Sequence, residues 1–239
     1  MSDHAHGAHE HAGFPDPHTD PKEFWEERYG SGTPVWSGKV NTALESVARE
    51  LTPGTALDLG SGEGGDVLWL ASQGWTATGY DLSENAVALA RAAARTAEAA
   101  GTVPADRAFF EIVDLSEWAA GTSAGDVPAG DRFDLVTASF LQSPVVLART
   151  EVLRAAAAHV APGGHLCVVA HAEPPQWVRP EAMSAHQEFP TPESDLAALA
   201  LDREGWTVGI AEVRTREGLA PTGEPTVWKD SVVLVRRNA

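Results

Sequence analysis

The chain is poor in cations. Three of its 17 basic residues are lysines (Lys22, Lys39 and Lys229), Arg236-Arg237 is the single adjacent basic pair, and 34 Asp and Glu bring the formal net charge to −17. A chain of this kind lacks the electrostatic footprint that nucleic-acid backbones and anionic lipid surfaces require, so neither is an expected partner. Cysteine is almost absent as well. Cys167 alone rules out an intramolecular disulfide framework or a Cys-clustered metal site, and it agrees with a reducing cytoplasm as the expected location. Long apolar runs are also missing. The central stretch free of Asp, Glu, Lys and Arg, 155–172, contains Pro162, Gly163, Gly164 and three histidines, and reads as helix, turn and strand, not as a membrane span. The opening MSDHAHGAHEHAG has no apolar core and is not read as a secretory signal. Composition leaves the oligomeric state open.

What is present suits a globular protein: 239 residues, 43% hydrophobic and 21% charged. Residues 1–21 hold five histidines between His4 and His18 with little apolar surface, so a disordered tail is expected there and no metal site is assigned. Residues 22–54 form a helical preface or lid. In it PKEFWEERYG is amphipathic, and Asn41 is placed to cap a helix whose face carries Leu44, Val47, Ala48 and Leu51 until Pro53-Gly54 stops it. From residue 55 to 239 the pattern alternates. Strands are expected at 55–60, 76–82, 108–115, 133–141 and 165–172. Helices are expected to about 73, from Ser83 to Gly101, over 146–160 and over 192–204. Two closing β runs, 207–215 and 226–236, look like a hairpin. Strands alternating with helices predict an α/β fold, one Rossmann-like domain with a doubly wound sheet and helices on both faces.

The chemistry centres on DLGSGEGG, Asp58 to Gly65, at the end of the first strand. Gly60, Gly62 and Gly65 satisfy the dinucleotide pattern G-x-G-x-x-G. Gly60, Gly62 and Gly64 after Asp58 satisfy equally the D-x-G-x-G-x-G of S-adenosylmethionine (SAM) sites. Glycines alone do not choose, because both ligands need backbone without a Cβ in the way. The acids do. Asp58 and Glu63 would repel a pyrophosphate at this turn, whereas SAM brings a sulfonium and an ammonium, both cationic. Asp81 ends the second strand at a spacing suited to ribose hydroxyls. Asp114 ends the third, where an adenine amino group would need an acceptor. A strand-end Asp is also a common helix cap, but three at successive strand ends point to a shared ligand.

ALDLGSGEGGDVLWLA, GYDLS, VDL, FDLVTASF and VAPGGHL together resemble the class I SAM-dependent methyltransferases over about residues 36–237. The FWEERYG…VWSG preface is similar to the thiopurine and tellurite-resistance branch and related small-molecule methyltransferases. The resemblance implies a seven-stranded sheet with its last strand antiparallel and SAM as cofactor. It implies that Asp58, Gly60, Ser61 and Gly62 contact the methionine part, that Asp81 binds the ribose and that Leu82 flanks the adenine. Asp114 and Leu115 would hold the adenine amino edge, and Trp36 would close over the cofactor. Ser139, Phe140 and Leu141 would border the sulfonium and the acceptor.

Methyl transfer from a sulfonium is an in-line displacement for which alignment can supply about 7–11 kcal/mol. A base is needed only for a protonated acceptor. His171, Glu173 and His186 after the fifth strand are candidates for that role, with Trp177, Met183 and Phe189 as pocket walls. His171, at the strand end itself, is the expected catalytic residue, and Phe140, Trp177 and His186 are the expected substrate contacts. The expected acceptor is a small molecule, with a sulfur acceptor favoured by the resemblance. O- or N-methylation, an NAD(P)-binding oxidoreductase and a non-catalytic SAM-binding module remain the alternatives. Cys167 reads as a buried small hydrophobe.

Overall fold

A computed structural model describes residues 19–30, 35–122, 132–174, 188–220 and 222–239. The histidine-rich segment 1–18 lies outside the described residues, as do Trp177, Met183 and His186.

Two helices precede the sheet, α1 (Pro21–Tyr29) and α2 (Thr42–Ala48). Asp20 and Asn41 cap them, the Asn41 side chain accepting from the backbone N–H groups of Ala43 and Leu44. The chain then alternates through β1 (Thr55–Leu59), α3 (Gly65–Ser72), β2 (Thr76–Asp81), α4 (Glu84–Ala99), β3 (Ala108–Ile112), α5 (Leu115–Ala119), β4 (Phe133–Ser139) and α6 (Arg149–Ala158). It closes with β5 (Val160–His171), α7 (Pro192–Leu199), β6 (Trp206–Leu219) and β7 (Pro225–Arg237).

The seven strands form one sheet in the order β3-β2-β1-β4-β5-β7-β6. β1 to β5 pair in parallel, while β7 is antiparallel to both neighbours. Central strands buried on both faces read as continuous apolar runs, and β1 shows why. Ala56 packs into the cluster under α2, α3 and α4 with Leu44, Leu70 and Val87, whereas Leu57 and Leu59 enter the opposite cluster with Val136, Leu153 and Leu166. Truncating a side chain such as Leu57, with no exposed surface, is expected to cost about 2–5 kcal/mol. The alanine-rich α4 buries Ala86, Val87, Ala90 and Ala94, small residues that let the helix axis approach the sheet.

Several boundaries differ from expectation, among them β3, which stops at Ile112, and β6, which runs on to Leu219. β5 starts at Val160, ahead of Pro162-Gly163-Gly164, because the strand bulges there: Phe133 pairs with Val160, but Leu135 pairs with His165. The short α5 was not anticipated, and α7 stops at Leu199 because Ala200 takes a left-handed conformation with φ 51°.

Candidate active site

The turn from β1 into α3 is made by glycines with positive φ at Gly60 (74°), Gly62 (51°) and Gly64 (84°), a region that costs other residues about 1–2 kcal/mol. It is fastened to β2, since the N–H groups of Gly60 and Ser61 donate to the Tyr80 carbonyl at 2.8 and 3.0 Å. A Cβ on Gly60 would stand 2.8 Å from Leu141 Cδ1, and one on Gly62 would stand 3.0 Å from Tyr29 Oη. The turn is therefore closely covered from both sides.

Asp58 is buried, and its Oδ1 accepts from Thr137 Oγ1 at 2.6 Å across the β1–β4 register. Burial first, then the Asp66 carboxylate, pushes the Asp58 carboxyl well above the usual range. Asp66 is raised by burial as well, although its Oδ1 accepts from the Asn41 N–H at 2.6 Å. The Ser139 hydroxyl lies close enough to favour the charged Asp66, yet it falls outside hydrogen-bonding geometry and is buried without a partner among the described residues. Asp81 is also buried and raised by burial, with Oδ2 accepting from Gly62 N–H at 2.7 Å and Oδ1 from Ser83 N–H at 2.9 Å.

This set fits the cofactor. An ionised carboxylate offers about four lone-pair positions, so Asp81 keeps acceptor capacity for a pair of hydroxyls after its two backbone bonds. Carboxylates held above their usual pKa favour a cationic ligand group, which stabilises their charged form. Asp114 is the cap of α5, its Oδ1 accepting from Ser116 and Glu117 N–H at 2.8 and 3.2 Å. The Leu115 side chain turns into the core beside Trp118, and the Ser61 side chain faces Gly79, whose added Cβ would stand 2.6 Å from Ser61 Oγ. Backbone, not side chain, is what those two residues offer a ligand. Leu82 is half-buried beside Asp81.

Acidic side chains also staple the preface over the turn. Glu63 Oε1 and Oε2 accept from the N–H groups of Val35 (2.8 Å) and Trp36 (3.3 Å). The Glu26 carboxylate sits on the N-terminus of α4, accepting from Ser83 Oγ and from Glu84 and Asn85 N–H, where the helix dipole favours an anion. Trp36 Nε1 donates to Tyr29 Oη at 2.9 Å, and the Arg28 guanidinium lies 5.6 Å from the Trp36 ring centre. Glu63 thus holds the preface and does not face into the turn. Sequence reasoning missed Glu26 and Asp66, since both partners are remote in the chain.

At the sheet's C-terminal rim, His171 ends β5 with its ring between those of Phe140 (centroids 4.2 Å apart) and Trp228 (4.9 Å), both nearly parallel to it. His171 Nδ1 lies 3.1 Å from Oδ1 of the buried Asp230 on β7, and Arg216 Nε on β6 donates to Asp230 Oδ2 at 2.6 Å. Gln142 brackets the His171 backbone, accepting from its N–H at 2.7 Å and donating to its carbonyl at 3.2 Å. Phe140 adopts φ 54°, a strained conformation for a residue with a side chain, and lies one position before the Leu141 that covers Gly60. Glu173 is committed to an ion pair with Lys229 at 3.0 Å, and Phe189 is half-buried. Asp230, Arg216 and Trp228 were missed. A carboxylate just ahead of the apolar run 232–235 in the last strand was the available signal, but its register against β5 was not readable.

A concavity of about 350 Å³ lined by Thr52, Pro53, Asp134, His165 and Arg236 opens at the opposite end of the strands, away from this chemistry. Among the described residues no group of three or more His, Cys, Asp or Glu side chains could hold a metal ion, and no helix is long and apolar enough to cross a membrane.

Residues 27–204 match a family model described as a methyltransferase domain. No match is found among curated proteins. Among solved structures, the chain is similar in fold to a protein described in the conversion of a disulfide bond into a thioacetal group during echinomycin biosynthesis (23% identity over 91% of this chain and 92% of the other, TM-score 0.64). It is similar also to TehB from Haemophilus influenzae (17%, 91% and 67%, TM-score 0.60). A third likeness is to the magnesium protoporphyrin IX methyltransferase ChlM from Synechocystis with bound SAM (17%, 94% and 100%, TM-score 0.56). With the family model spanning most of the chain, and with a glycine turn and a carboxylate set that suit the cofactor, the chain belongs to the methyltransferase-domain family and is a SAM-dependent methyltransferase.

Proposed function

We propose that this enzyme methylates a small-molecule acceptor in the cytoplasm, a sulfur acceptor being favoured by the preface that resembles the thiopurine and tellurite-resistance branch. The observation that carries the small-molecule reading is the aromatic rim of Phe140, His171 and Trp228 at the end of β4 and β5, beside the glycine turn. When bound, SAM supplies a methyl group already activated on sulfur. The chain's own residues then bind and orient. Asp81 takes the ribose hydroxyls, Asp58 and the Gly60–Gly62 backbone take the methionine part, Leu82 and Asp114 take the adenine, and residues 22–54 act as the lid through Trp36. His171 is the proposed base. With Nδ1 donating to Asp230, its Nε2 is left as the acceptor for a proton from the incoming nucleophile.

The same dyad gives weight to a second reading, transfer to an oxygen or nitrogen that must first lose a proton. The test is turnover of matched thiol, phenol and amine panels, read as S-adenosylhomocysteine formed. Thiols are expected to be the best acceptors. His171→Ala is expected to lower kcat by about 10²–10⁴-fold for protonated acceptors while cofactor binding is kept. Binding of a nicotinamide dinucleotide in preference to S-adenosylhomocysteine would overturn the cofactor assignment, and a His171→Ala enzyme with undiminished kcat would remove the base.

A further inference from the structure

The pairing of Arg216 leaves one edge of its guanidinium committed and the other available. Nε is fixed on Asp230 Oδ2, and the planar group lies over two rings, 5.6 Å from the centre of Phe140 and 5.0 Å from that of Trp228. Asp230 is buried and has both oxygens engaged, one by Arg216 and the other by His171. A guanidinium carries five N–H donors in a rigid fork. Among the described residues the Nη1 and Nη2 groups have no hydrogen-bond partner, and the side chain is 33% exposed.

Nearby acids do not fill that edge. Glu173 is held by Lys229 and Glu212 by Arg214, while Glu217, the next residue on β6, projects from the other face of the strand. The arginine is also held in place in advance, by stacking and by the bond to a buried carboxylate, so little side-chain freedom remains to be lost when a ligand arrives. Through Asp230 the same group is tied to His171, the proposed base.

We infer that the acceptor carries a carboxylate, which docks on the Nη1–Nη2 edge of Arg216 while its nucleophilic atom lies at His171. This rests on the small-molecule reading above and narrows it to acids. The arrangement explains why an arginine stands at the acceptor end of a chain so short of cations: the fork gives bidentate geometry and charge together. It also accounts for the length of the β6–β7 hairpin, whose strands run past the last β5–β7 pair, His171 with Asp230, to place Arg216 and Trp228 above the rim.

The test uses the full chain and two probes of equal shape, benzoate and benzamide, titrated in ligand-observed NMR with and without saturating S-adenosylhomocysteine. Benzoate is expected to bind about ten-fold more tightly than benzamide to the wild type. The preference is expected to vanish in Arg216→Gln and to survive in part in Arg216→Lys. Equal binding of the two probes, no binding of benzoate, or a preference that persists in Arg216→Gln would each overturn the inference. The wild-type comparison needs no variant and so stands even where Arg216→Gln fails to fold, which a thermal melt reports. Failure of the cofactor reading shows separately, as loss of S-adenosylhomocysteine binding in calorimetry while the arm without nucleoside still decides the carboxylate site.

Discussion

The Asp81 carboxylate accepts a hydrogen bond from the backbone N–H of Gly62 at 2.7 Å, so the acid at the end of β2 and the middle glycine of the β1–α3 turn form one unit. Asp81 therefore shapes the glycine turn directly, in addition to its proposed contact with the ribose. Asp81→Ala is expected to weaken S-adenosylhomocysteine binding at least about ten-fold and to lower stability by about 1–3 kcal/mol, because the Gly62 and Ser83 N–H groups lose their acceptor. Asp81→Asn, which keeps one acceptor oxygen, should lose less of both. Calorimetry and denaturant titration read the two effects, and unchanged affinity in Asp81→Ala would show that the ribose is held elsewhere.

Glu63 bonds the preface through the N–H groups of Val35 and Trp36. Glu63→Ala should free the segment without touching the core, leaving the melting temperature nearly unchanged while S-adenosylhomocysteine dissociates about ten-fold faster. Stopped-flow fluorescence can follow the release, with Trp36, half of whose surface is exposed, as reporter. An unaltered off-rate would mean that the preface does not gate the cofactor.

The pH dependence has a definite sign. Asp58, Asp66 and Asp81 all have folded-state pKa values raised by burial above the unfolded value near 4. Between the unfolded and the raised folded values the native state binds more protons than the unfolded state, so stability falls as pH climbs through that window. The protein without cofactor should be more stable near pH 5 than near pH 8, and Asp58→Asn should flatten the slope. Denaturation midpoints across that range measure it. A slope that Asp58→Asn leaves unaltered would assign the effect to the general excess of negative charge.

Arg149 and Asp195 form a buried bidentate pair at 2.6 and 3.2 Å that joins α6 to α7, and Arg149 Nε also donates to the Leu141 carbonyl at 3.0 Å. Arg149→Met strands a buried carboxylate and should cost about 3–5 kcal/mol. Adding Asp195→Leu should recover much of that loss, because no unpaired charge then remains. A double variant no more stable than the single one would show that the tie to Leu141 carries the energy.

Much of the fold was legible because its signals are local. Gly60, Gly62 and Gly64 needed positive φ, Asn41 and Ser83 sat where helices begin, and β1, β2 and β4 were runs of strand length rich in apolar and β-branched residues between turn residues. The residues proposed for the cofactor end were legible for the same reason, since Asp58, Asp81 and Asp114 each stand at or just beyond a strand end marked in the sequence. The acceptor end was not. His171 could be found as a strand-terminal histidine, but Asp230 and Arg216 reach it through antiparallel register, 59 residues along the chain from His171 in the case of Asp230. The staples of the preface had the same difficulty: Glu26 meets Ser83 across 57 residues, and no periodicity encodes such a meeting.

The strand order has a consequence for how the enzyme comes into being. β7 follows β6 in the chain, yet it lies between β5 and β6, and among the described residues β6 is hydrogen-bonded in the sheet to β7 alone. The sheet edge at β5 must wait for β7, and β6 joins the sheet only through the hairpin it forms with β7. Because loop closure precedes any gain from such distant pairing, this docking is expected to be a late step of folding. It is also the step that brings Asp230, Trp228 and Arg216 to His171. A chain without β7 would keep the residues of the glycine turn and its carboxylates but would lack Asp230 and Trp228 beside His171. On the proposed roles, the residues that hold the methyl donor would be in place before those that face the acceptor.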